Sequence, residues 1–138
     1  MTHRTVHFSA RLPKELAEEL TELADHLGYS TSATAVRLLE EGIRMSRFPG
    51  IDFRSTPTGR AASVTGTGLA VWELSAIWED HGRSIAKVRK NYPHLTGAQI
   101  AAAVRYAQAH ADEIEAETKR GQPSDPLSQY PSLTRVKV

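Results

Sequence analysis

No cysteine occurs in the 138-residue chain, so disulfides and thiolate metal sites are excluded and the redox compartment cannot be read from the sequence. No apolar run approaches the roughly 20 residues that a membrane-crossing helix needs. The N-terminus, Met1-Thr2-His3-Arg4, leads into an alternating segment and not into the apolar core of a signal peptide. A cytoplasmic protein with no membrane partner is the expectation. There is no internal repeat, and none of the local patterns of common catalysts is present. His3, His7, His26, His81, His94 and His110 form no metal-binding pair on a helix, since His3 and His7, four residues apart, share a strand face instead. Gly66-Thr67-Gly68 lacks the glycine and lysine of a phosphate loop, and Asp52, Glu73, Glu79 and Asp80 form no local acid cluster. The sequence therefore predicts no enzyme, no metal and no cofactor.

What is present is a globular composition, 40% hydrophobic and 24% charged, with room for one medium or two small domains. The net charge is only +1, but it is unevenly spread. Residues 1–12 carry Arg4 and Arg11 and no acid. Residues 14–25 set Glu15, Glu18, Glu19, Glu22 and Asp25 against Lys14 alone. Residues 81–111 carry Arg83, Lys87, Arg89, Lys90 and Arg105 and again no acid. Two basic patches flanking an acidic face allow local nucleic-acid binding despite near neutrality.

From Thr5 to Leu12, Val6, Phe8, Ala10 and Leu12 alternate with Thr5, His7, Ser9 and Arg11, the pattern of a strand with one apolar and one polar face. Pro13 stops it and opens a helix as its first residue. Leu16, Leu20, Leu23, Ala24 and Leu27 follow at helical spacing, Gly28 closes the helix, and Ser30-Thr31-Ser32 offers caps for a second helix to about Met45, with Val36, Leu39 and Ile43 in one stripe. A lone strand has no ladder partner, and a unit this small buries too little surface by itself. Pairing with the same strand of a second copy supplies both needs, giving a two-stranded antiparallel ribbon over four helices and making a homodimer part of the fold. Assembly of dimers into tetramers is left open.

Behind this unit, short strands at Ile51–Arg54 and Ala62–Val64 flank Thr56-Pro57-Thr58-Gly59. Helices are expected over about 70–79, from Ser84 to Asn91, and from a Thr96/Gln99 capping box to about His110. A second box, Asp112/Glu115, would start a short last helix. Trp72 and Trp78 read as core, with one half exposed at an interface. The predicted fold is thus mainly α: a ribbon-helix-helix at 1–48, a small β-hairpin and helix-turn-helix-like domain at 49–120, and an extended proline-containing tail at 121–138.

The stretches V-H-F-S-A-R-L-P, E-L-A-E-E-L, G-Y-S-T-S and A-V-R-L-L-E-E-G-I resemble the Arc/MetJ-type ribbon-helix-helix family. That resemblance implies sequence-specific binding of double-stranded operator DNA, with the ribbon in the major groove and His7, Ser9 and Arg11 facing the bases. P-G-I-D-F-R, G-T-G-L-A-V-W-E-L and N-Y-P-H-L-T-G-A-Q-I-A-A-A-V-R-Y-A are similar to the domain of unknown function 433, although Gly68 stands where many members carry arginine and Ala111 where proline is common. That likeness implies an antitoxin whose partner is a PIN-like ribonuclease toxin.

A ribbon fits the major groove, where Arg11 can be bidentate to guanine and His7 and Ser9 can donate or accept. Arg4 and Thr5 are better placed for phosphates, as are Ser30, Thr31 and Ser32 at the start of the second helix. Arg83, Lys87, Arg89, Lys90, Thr96, Gln99 and Arg105 form a candidate second DNA site, or the surface of a trihelical module used for packing. In the tail, Leu127, Tyr130, Leu133 and Val136 suit a segment that folds onto a partner, or a disordered end. The functional expectation is an antitoxin that also represses its own operon. A stand-alone transcriptional regulator and a protein–protein adaptor are the alternatives.

Overall fold

The computed structural model describes residues 4–121. Its elements run α1 (Lys14–Leu27), α2 (Thr31–Arg47), β1 (Ile51–Thr56), β2 (Gly59–Val64), α3 (Val71–Asp80), α4 (Ile85–Asn91), α5 (Gly97–Ala109) and α6 (Ala111–Gly121). The architecture is mainly helical with one two-stranded antiparallel sheet. Two compact units divide within α2, between Ile43 and Arg44.

In the N-terminal unit, residues 4–13 form neither helix nor strand within the chain, and all their side chains are exposed. Pro13 precedes the first helix instead of opening it: its backbone is extended (φ −55°, ψ 147°), and its carbonyl accepts the Ala17 N–H at 3.0 Å. Gly28 ends α1 at φ +75°, a left-handed conformation that favours glycine. The Gly28 N–H reaches the Asp25 carbonyl and the Tyr29 N–H the Ala24 carbonyl, the paired bonds of a Schellman motif. Ser30 Oγ accepts the Ala33 N–H at 3.1 Å, capping α2. Ala24 is buried and Leu20, Leu23 and Leu27 are half-buried, whereas Leu16, Val36, Leu39 and Ile43 remain about half exposed or more. The apolar stripe that shaped these helices is thus only partly covered within one chain.

In the second unit, β1 and β2 pair from Ile51↔Val64 to Thr56↔Gly59, extending the hairpin beyond its sequence pattern to a two-residue turn, Pro57-Thr58. Thr56 Oγ1 donates to the Gly59 carbonyl at 2.6 Å and ties the turn. The hairpin and helices close on Ile51, Val64, Val71, Leu74, Val88, Leu95, Ile100 and Tyr106. Trp72 and Trp78 are half-buried against this core instead of inside it. Ser84 caps α4 by accepting the Lys87 N–H at 3.2 Å. The Thr96/Gln99 box forms as its spacing requires: Thr96 Oγ1 accepts the Gln99 N–H at 3.0 Å, and Gln99 Oε1 accepts the Thr96 N–H at 2.9 Å.

The Asp112/Glu115 box does not form. The His110 carbonyl already accepts the Ile114 N–H, so α6 starts at Ala111 and Asp112 falls inside its first turn. Glu115 pairs with Lys119 at 3.3 Å instead. The tail residues Leu127, Tyr130, Leu133 and Val136 lie outside the described residues.

Because both members of the Thr96/Gln99 box are satisfied by each other, Thr96→Ala should destabilise the second unit by about 1 kcal/mol. Urea unfolding followed by tryptophan fluorescence checks this. A midpoint equal to wild type would show that the box is dispensable.

Candidate nucleic-acid interface

The sequence-derived contact residues lie in both units. In the first, Arg4, Thr5, His7, Ser9 and Arg11 all stand exposed in the segment ahead of α1, as do the apolar residues that alternate with them, Val6 at 88% and Phe8 at 76%. Ser30 is engaged as the α2 cap, and Thr31 and Ser32 occupy the exposed first turn, which contains no acid. That turn therefore carries only the positive end of the helix dipole, an electrostatic setting suited to a phosphate.

In the second unit the seven candidate residues separate by what already holds them. Arg83 Nε donates to Glu79 at 3.0 Å, and its guanidinium lies 5.6 Å from the Trp78 ring centre. Arg83 also adopts φ +59°, following Gly82 in the turn that ends α3. Thr96 and Gln99 are committed to their box, and Gln99 Nε2 reaches the Thr65 carbonyl at 3.4 Å. Arg89 Nε donates to the Leu95 carbonyl at 3.2 Å, bracing the α4–α5 turn. Lys87, Lys90 and Arg105 are exposed and have no ion pair among the described residues. The α4–α5 pair therefore has helix-turn-helix order, but the polar residues opening its second helix serve the helix itself.

Sequence reasoning missed a half-buried polar cluster in this unit, built around the buried Tyr106. Arg44 Nη1 donates to Tyr106 Oη at 2.8 Å and to Glu113 Oε1 at 2.6 Å, while Tyr106 Oη donates to Glu113 Oε2 at 2.7 Å. His110 lies against the Tyr106 ring at 4.6 Å, and Phe48 meets the same ring edge-on. Burial alone would raise the Glu113 carboxyl, but hydrogen bonds from Tyr106 and Arg44 and the Arg44 charge hold it below its ordinary value. Burial, then the bond to Glu113, pushes the Tyr106 hydroxyl well above the ordinary phenol value. No local sequence signal marks this triad, because Arg44 lies 62 and 69 positions from Tyr106 and Glu113.

The two tryptophans, half-buried against the core, each line a groove. Trp78 lines a groove of about 330 Å³ with Ser75, Val104, Ala107 and Ile114. Trp72 lines a smaller one of about 220 Å³ beside the hairpin turn. Among the described residues no group of three His, Asp or Glu side chains is placed to hold a metal ion, and no helix is long and apolar enough to cross a membrane.

Residues 58–107, from the hairpin turn through most of α5, match the family model described as a protein of unknown function (DUF433). No curated protein and no solved structure matches the chain.

The polar triad fixes a pH profile. The depressed Glu113 carboxyl contributes stability that is complete above the ordinary carboxylate value of 4.5 and is lost as pH falls through its own lower value. The elevated Tyr106 hydroxyl costs nothing below the ordinary value of 10.0 and destabilises as pH rises beyond it, where the unfolded chain ionises first. Glu113→Gln should therefore lose about 1–3 kcal/mol at neutral pH and flatten the acid limb of the stability curve. Urea titrations from pH 3 to 11 measure both limbs. An acid limb as steep as wild type would remove Glu113 as its cause.

Proposed function

We propose that this protein is a homodimeric, sequence-specific DNA-binding regulator, acting as antitoxin and autorepressor beside a ribonuclease toxin. The observation that carries the DNA-binding part is the exposed alternating segment ahead of two amphipathic helices. Val6, Phe8, Ala10 and Leu12 share one side of the pattern; Thr5, His7, Ser9 and Arg11 share the other. The strongly exposed Val6 and Phe8 are costly in water unless a partner covers them. A second copy, adding its own segment antiparallel, satisfies the open backbone edge and covers the apolar side at once.

In that arrangement the polar side of the ribbon faces outward as a pair. His7, Ser9 and Arg11 read base edges in the major groove, Arg11 through a bidentate contact with guanine. Arg4, Thr5 and the first turn of α2 at Ser30, Thr31 and Ser32 hold phosphates and set the register. Paired half-sites related by the dimer axis follow from the symmetry. The toxin-binding role rests on the sequence resemblance of the second unit to antitoxins, and it assigns partner contacts to that unit and the C-terminal segment. The protein acts by binding and not by catalysis.

Co-expression with the neighbouring reading frame, followed by purification and a ribonuclease assay, tests the partner. Mobility-shift titration against upstream DNA tests the regulator. Arg11→Ala should cost about 1–3 kcal/mol of operator affinity and relax the preference at one base pair in each half-site. Equal affinity with an unchanged preference would refute base reading by the segment.

A further inference from the structure

The second unit carries a cationic surface whose position on α4 differs from that of every paired charge around it. Residues 81–111 contain no Asp or Glu. The nearest preceding acids are Glu79 and Asp80, and Glu79 is held by Arg83 across an ion pair of 3.0 Å. Elsewhere in the unit Arg44 is matched by Glu113, Lys119 by Glu115, and Arg54 lies 3.9 Å from Asp52. Lys87 and Lys90 lie three residues apart on one side of α4, both exposed, with Arg89 beside them. Val88 is fully buried, so the helix is fixed in rotation and these cations are held outward.

We propose that this outer face of α4 is a sequence-independent contact for the phosphate backbone of duplex DNA. It deepens the DNA-binding reading above and rests on it. Lysine ammonium groups are compact, strongly hydrated point charges that suit phosphate oxygens better than base edges. The neighbouring helix is poorly equipped for base reading at its N-terminal turn. Thr96 and Gln99 there are consumed by their capping box and Ala98 offers no donor, while the exposed Arg105 and Gln108 stand farther along the helix. The surface therefore adds affinity and salt dependence without adding preference, a division of labour with His7, Ser9 and Arg11.

The test uses the full chain and two duplexes of equal length, one carrying the operator and one a scrambled sequence, titrated by fluorescence anisotropy across a series of salt concentrations. Lys87→Ala with Lys90→Ala should reduce the slope of log affinity against log salt by about two for each protomer engaged, loosening both duplexes by the same factor. Lys87→Arg with Lys90→Arg keeps the charge and should restore the slope, and Lys119→Ala, removing a paired lysine on another helix, should leave it unchanged. Melting temperatures equal to wild type show that the fold survives. An unchanged slope in the alanine variant overturns the proposal. So does a loss confined to the operator, which would make α4 a reader of sequence, or a larger loss for single-stranded RNA of equal charge. If wild type binds both duplexes equally, base reading by the N-terminal segment fails while the α4 contact stands or falls on the scrambled duplex. If wild type binds neither duplex, both fail.

Discussion

Two amphipathic helices and a short alternating segment do not offer enough surface to one another to bury the apolar side they share. In this protein Leu16, Val36, Leu39 and Ile43 keep about half or more of their surface in water, and Val6 and Phe8 keep most of theirs. Burying a single such side chain is worth about 1.5–3 kcal/mol, so the unit forgoes a sum comparable with the whole stability of a small domain. The proposed dimer follows from that deficit. Self-association would recover the burial, close an open strand edge and, through the period of two in a strand, turn a polar face outward as a matched pair. In this proposal, recognition of DNA would be a consequence of how the fold completes itself.

The second unit meets the same requirement differently. It has a closed core of aliphatic residues around Tyr106, and at the edge of that core the half-buried Arg44 and Glu113 answer the Tyr106 hydroxyl. Arg44, on the last turn of α2, satisfies both Tyr106 and Glu113. Removing one member of such a cluster leaves the others without their partners, which is why a single substitution there is costly. On the surface of this unit Arg54, Arg83 and Lys119 stand beside carboxylates, whereas Lys87 and Lys90 on α4, like Arg105 on α5, have no ion pair among the described residues.

Much of the fold was legible in the residues because its signals are local. Gly28, Ser30, Ser84 and the Thr96/Gln99 box each act within four residues of themselves, so helix ends could be placed from spacing alone. The misplacements are equally local. Pro13 lies just outside α1 instead of within it, and α6 begins before Asp112 because His110 supplies its first carbonyl. Function was harder to read, since one side chain can serve two roles. Thr96 and Gln99 suit both a cap and a DNA contact, and geometry commits them to the cap. The Arg44–Tyr106–Glu113 triad was illegible because nothing nearby in the chain announces a partner more than sixty positions away. The proposed ribbon differs from all of these, since its partner would be another molecule and the single chain displays only an exposed segment at residues 4–13.

Isotope-filtered NMR on a sample mixed from labelled and unlabelled chains tests that pairing most directly. The account predicts contacts between Cα protons of residues 5–12 in one copy and the same residues in the other, running antiparallel, with alternate amides slow to exchange. A monomeric species at working concentration, with rapidly exchanging amides throughout that segment and no contacts between copies, would contradict it.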